Sequence, residues 1–173
     1  MNEKTKKFIL KIARKAIENY VRYKKIIKVN KYPKELNEKR AVFVTIHKNN
    51  ELRGCIGSLA DLPIIENLIN AAISACEDPR FLPLQEGELD KIKIEVSILS
   101  EFKKSSIEKI EEFKHGVYIK KGLKSAIFLP QVWYEIPEKE KFLYYLCLKG
   151  GINPKELKDC EIYTFEAEII KEE

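Results

Sequence analysis

The sequence predicts an α+β domain with antiparallel or mixed sheets and flanking helices. Three observations carry this. Lys91–Ser100 alternates apolar and polar residues, as a strand does. Two hairpin signals stand at Asn49-Asn50 and Lys121-Gly122. Helical stripes are interspersed with these strands without a strict βαβ alternation, which disfavours a doubly wound sheet. With 173 residues, the chain suits one domain over 1–173 that can bury a core without metal or disulfide.

Taken in order, Thr5 to about Ile27 reads as a helix, with Ile9, Ile12, Ala13, Ala16, Ile17 and Tyr20 at i, i+3, i+4 spacing. Residues 1–31 form a basic amphipathic segment with eleven Lys or Arg and two Glu, a net +9, so the remainder carries −4 of the total +5. Lys6, Lys7, Lys11, Arg14 and Lys15 lie largely off the stripe. Such a face serves either as a solvated surface or as a nucleic-acid or acidic-partner surface.

Val29–Lys39 is a polar connector. Ala41–His47 reads as a strand, returning through the Asn49-Asn50 turn as a second strand over Glu51–Ile56. Pro63 opens a helix with Ile65, Leu68, Ile69, Ala72, Ile73 and Cys76 on one stripe, stopping before Asp78-Pro79. Asp78–Leu84 is a loop with two prolines, and Lys91–Ser100 is the third strand. Ser105 and Glu108 match a capping box for a short helix to about Lys114, ended by Gly116. Val117–Lys120 and Ser125–Leu129 form a hairpin, with Trp133 in the loop that follows. Pro137 opens a helix to Lys149, closed by Gly150-Gly151, and Asn153-Pro154 starts a helical turn. Glu161–Ile170 is the last strand, with Tyr163, Phe165, Ala167 and Ile169 on one face.

Composition narrows the function classes. No apolar run approaches the ~20 residues that cross a bilayer, and the start lacks a signal-peptide pattern, so a cytoplasmic setting is expected with no membrane partner. Cys55, Cys76, Cys147 and Cys160 contain no CxxC pair, so free thiols and no metal site are expected. No P-loop or dinucleotide loop is present, and no cofactor is expected.

The chemistry concentrates in Leu52–Gly57, LRGCIG. Gly54 and Gly57 flank Cys55 and Ile56, and glycine inside a strand marks a bulge, a bend or a close approach. Arg53 could bring a cation to Cys55 only if a bulge turned both to one side. A nucleophilic Cys55 would need a base, and the chain has two histidines, His47 and His115. Alternatively, Arg53 with glycine-exposed N–H groups forms an anion site, or a structural salt bridge to Asp78 or Glu51. Asp78 and Arg80, in the rigid loop after the helix, are placed to join it.

LRGCIGSL, DPRFLPLQEGELDKIKIEVSILS, HGVYIKKG, SAIFLPQVW and the KGG at 149–151 together resemble the AMMECR domain family, over nearly the whole chain. The resemblance implies a two-lobed α+β domain with the hexapeptide in a groove. It also implies association with Memo-type and radical-SAM partner proteins, here as separate chains. It puts Leu52, Arg53, Gly54, Cys55, Ile56 and Gly57 at the site, with Asp78, Arg80 and Phe81 beside them. It implies no catalytic residue, and this chain has Gly150-Gly151 where the family more often has Ala-Gly. The expected function is binding of a small anionic ligand or a peptide at LRGCIG. The alternatives are an enzyme using Cys55 as thiol nucleophile and a nucleic-acid-associated protein using the basic helix.

Overall fold

In the computed structural model, which describes residues 1–173, helix α1 covers Glu3–Tyr23 and buries Ile9, Ile12, Ala13, Ala16 and Ile17. It ends four residues before the expected end near Ile27. Lys24 turns left-handed (φ 53°) and its N–H returns to the Tyr20 carbonyl, an end with no glycine to announce it. Strands β1 (Val42–Lys48) and β2 (Glu51–Ser58) pair antiparallel through Asn49 and Asn50, both at positive φ as a tight hairpin turn demands. Helix α2 spans Ile64–Cys76, and β3 spans Ile92–Leu99.

The contacts divide the chain into two compact units, 1–99 with 168–173, and 100–167. In the first unit a four-stranded sheet runs β2-β1-β3-β8, where β8 is Ala167–Lys171. Helices α1 and α2 cover one face of it. Val42, Val44, Ile46, Ile94, Val96 and Ile98 enter that core and are essentially inaccessible. Arg14 of α1 ties this layer down. Its guanidinium holds both oxygens of Glu172 at 2.7 Å and donates to the carbonyls of Leu89 and Ile92.

The second unit holds a sheet in the order β4-β7-β5-β6, from Lys103–Lys104, Glu161–Phe165, Gly116–Lys121 and Lys124–Phe128. Helix α3 (Lys139–Lys149) packs with it. Trp133 is fully buried there, stacked on Phe142 with centroids 3.7 Å apart, and its indole N–H donates to the His115 carbonyl.

Three expectations need correction. The capping box at Ser105 and Glu108 does not form; one 3-10 turn, Ile107–Lys109, stands there with no side-chain cap. Gly116 begins a strand instead of ending a helix. The last strand is two strands in different sheets, broken at Glu166, so no single apolar face runs through it. Phe165 is buried as expected, but Ile162, Thr164 and Ile170 are buried as well, while Ile169 is 37% exposed. Alternation in an ambiguous run is read in either register, and a strand that changes sheets need not keep one.

Candidate functional site

The hexapeptide is most of β2, an edge strand, and its irregularity is a bulge. Ile46 faces Gly54 and His47 faces Leu52, which leaves Arg53 without a partner on β1. Gly54 is buried against α2, where a Cβ would lie 2.4 Å from the Ala75 carbonyl oxygen. Gly57 lies under the Phe43 ring, 2.3 Å from where its Cβ would be. Both glycines are therefore close approaches, one on each face of the strand. Beyond them, Ser58 donates to Asn67 of α2 at 2.6 Å, and the Asn67 amide holds the carbonyls of Arg40, Ala60 and Leu62.

The bulge sends Arg53 to Glu88. Nε and Nη2 meet the two carboxylate oxygens at 2.9 and 3.0 Å, a forked pair with both side chains about 15% exposed (16% and 15%). Lys48 Nζ and the Gln85 N–H also reach this carboxylate. The Arg53 bond, then Lys48 and Gln85, hold the Glu88 carboxyl down at about 2 against the cost of burial. The expected structural partners, Asp78 and Glu51, are not the ones used.

Asp78 instead serves the free edge of β2. Its carboxylate, 1% exposed, accepts the Cys55 N–H at 2.9 Å and the Arg80 guanidinium at 2.7 Å. Arg80 Nη2 makes a longer contact, 3.4 Å, to the Cys55 carbonyl. Two side chains thus satisfy both backbone groups that an edge residue leaves unpaired. The Arg80 bond, with the Cys55 and Arg80 N–H groups, pulls the Asp78 carboxyl down to about 2. Arg80 itself remains 58% exposed, with Phe81 beneath its guanidinium.

Cys55 is partly buried on the sheet face that α1 and α2 do not cover, and its Sγ lies 3.2 Å from Thr45 Oγ1. Of the two histidines, His47 shares that face one row along β1. His115 belongs to the second unit, where its Nδ1 accepts the Glu111 N–H. Cys76 is a core residue, its thiol pushed up to about 12 by burial. No group of His, Cys, Asp and Glu is arranged to hold a metal ion.

Sequence reasoning missed Glu88 and Thr45. Glu88 reaches back to the N–H three residues before it, as the acid of a capping box does. Gln85 in place of Ser or Thr hid that signature. Thr45 reads as an ordinary β-branched strand residue until the register puts it beside the thiol.

The basic face of α1 is less free than its composition suggests. Arg14 is committed to Glu172, and Lys6 pairs with Glu3 and Glu168, which leaves Lys4, Lys7, Lys11 and Lys15 exposed. Lys4, Lys7 and Lys11 border a cleft of about 700 Å³ with Phe8 and Pro33, remote in sequence from the hexapeptide. No helix is long and apolar enough to cross a membrane.

Comparison with known proteins agrees with this architecture. Protein MK0488 of Methanopyrus kandleri is 43% identical over 185 residues, covering 96% of this chain and 87% of that protein. Protein TK0174 of Thermococcus kodakarensis is 41% identical over 187 residues, covering 96% and 89%. The crystal structure of uncharacterized protein PH0010 from Pyrococcus horikoshii superposes with a TM-score of 0.94 at 36% identity, covering 100% of this chain and 94% of that one. The AMMECR1 family profile matches residues 10–170, across both units, and the chain belongs to the AMMECR1 family.

Proposed function

We propose that the β2 edge at Arg53, Gly54, Cys55 and Gly57, with Asp78 and Arg80, binds a small anionic ligand or an acidic peptide segment, and that Arg80 supplies the charged contact. One observation carries this reading: a buried carboxylate holds an exposed guanidinium beside the Cys55 backbone. An arginine so anchored loses little side-chain freedom on meeting an anion and keeps donors directed outward. Arg53 has a supporting role, because its fork is taken by Glu88.

The test is a titration with inorganic phosphate, and separately with a short Asp- and Glu-rich peptide, followed by backbone amide shifts of residues 54–58 and 78–82. One of the two probes is expected to move these signals, and Arg80→Ala is expected to abolish the change with the fold intact. Shifts that persist in Arg80→Ala, or no shift with either probe, would overturn the reading.

A second reading, Cys55 as a thiol nucleophile, is favoured by the 3.2 Å contact between its Sγ and Thr45 Oγ1 on an accessible strand. Four free cysteines suit a reducing, cytoplasmic setting for either reading. Association with separate Memo-type and radical-SAM chains belongs to the same proposal, and it rests on the family resemblance.

A further inference from the structure

We infer that the cleft between the first half of α1 and the 33–35 turn is a docking site for an acidic peptide segment of a partner protein, one that carries an apolar side chain between its carboxylates. None of the residues lining it belongs to the β2 edge, so the two sites stand or fall separately.

The cleft holds about 700 Å³, and its charged lining is Lys4, Lys7, Lys11 and Lys34 against a single acid, Glu35. All four lysines are exposed and none makes an ion pair. Elsewhere on α1, Lys6 pairs with Glu168, Arg14 with Glu172 and Arg22 with Glu86, and only Lys15 shares the unpaired state. Lys4, Lys7 and Lys11 recur at i, i+3 and i+7, so like charges adjoin on one helix face, an arrangement that disfavours the free helix. A bound polyanion of matching spacing relieves that repulsion.

The floor is apolar. Phe8 lies in the same arc as these lysines, half-buried on the core, and Pro33 contributes from the turn. Both walls are held from behind, because Ile9 and Ile12 of α1 and Leu36 of the turn are buried in one core. The cleft therefore exists before anything enters it, which lowers the ordering cost of binding. Lys4 and Lys11 are about 10 Å apart along the helix axis, a length that about three residues of extended chain span. A segment with acids about three residues apart sets its carboxylates against the lysines and an intervening apolar side chain against Phe8 and Pro33. Glu35 offers an acceptor to a peptide N–H.

Nucleic acid fits less well. Both arginines of α1 are committed to glutamates, one half-buried ring gives no row for stacking bases, and Glu35 repels a phosphate. A membrane surface fits less well too, since the apolar stripe of α1 faces the core.

The test is a titration of the intact chain with an acetylated, amidated hexapeptide in which a Leu-Phe pair stands between two Glu-Asp pairs, read by backbone amide shifts. Signals of residues 2–11 and 33–35 should move, with an affinity that falls as salt rises. Lys7→Glu with Lys11→Glu should weaken binding roughly tenfold. Lys25→Glu with Lys28→Glu makes the same change of net charge outside the cleft and should leave binding nearly unchanged. The same peptide with Ser-Ser in place of Leu-Phe should bind roughly tenfold more weakly, a check that leaves the protein untouched where Phe8→Ala would disturb the core. Arg80→Ala should leave these shifts in place, so a failure at the β2 edge is read apart from a failure here. No movement at residues 2–11 and 33–35, an equal loss in the Lys25 and Lys28 control, or undiminished binding of the Ser-Ser peptide would overturn the proposal. Tighter binding of a six-nucleotide oligothymidylate or of phosphatidylserine vesicles would overturn it as well, and would assign the cleft to nucleic acid or to a membrane surface.

Discussion

Arg53 and Arg80 approach the hexapeptide from different segments, and their surroundings give them different work. Arg53 sits in the strand itself, turned by a bulge into a forked pair with a nearly buried carboxylate that also takes Lys48. Arg80 lies in the loop after α2 and leans on a buried carboxylate while most of its own surface stays open. In the first pair both charges are withdrawn from solvent, so the pair joins β2 to the 85–88 turn. In the second only the acid is withdrawn, so the acid positions a cation that still has solvent-facing donors. Proximity to the motif therefore does not decide which arginine can meet a ligand; the burial of each partner does.

The largest test of this contrast is Glu88→Ala. It leaves Arg53 and Lys48 facing each other without their acid, and thermal or denaturant unfolding should show a loss of about 3 kcal/mol. A loss below about 1 kcal/mol would remove the structural role given to Arg53.

A smaller effect is expected from acid. Both carboxyls are held at about 2, below their ordinary values of 4.5 and 3.8, so the unfolded chain takes up protons first. The stability they contribute is complete above about pH 5 and declines as pH falls towards about 2. Urea midpoints measured from pH 6 to pH 2.5 should fall in that window, and Asp78→Asn with Glu88→Gln should flatten the slope.

The smallest stability effect belongs to Arg80→Ala. A pair with one partner 58% exposed stabilises weakly, so unfolding should shift by no more than about 1 kcal/mol. The same substitution should remove phosphate or peptide binding. Strong destabilisation without loss of binding would reverse the roles of the two arginines.

Much of the fold was legible because burial imposes a period on the sequence. The α1 and α2 stripes, the β1–β2 and β5–β6 hairpins and the apolar face of β3 all reappear in the structure. Where two answers had the same period, the reading failed. The run after Cys160 supported either register, and only pairing with two different sheets put Ile162 and Ile170 inside. At the site, the glycines signalled a bulge, a bend or a close approach without choosing among them, and the structure shows close approaches at both, with Asp78 meeting Cys55 and not Arg53. Glu88 was not, because 35 residues separate it from Arg53 and nothing local pairs them.

By itself, then, the sequence determined that LRGCIG would be an irregular strand beside a helix and a rigid loop, and it marked the family through several separate stretches. Local backbone preference and hydrophobic period suffice for that. Only the tertiary structure decided which carboxylate each arginine meets, and that Thr45 stands beside the Cys55 thiol. Strand register and the bulge at Arg53 set those distances, and register is a property of paired strands that no single strand carries.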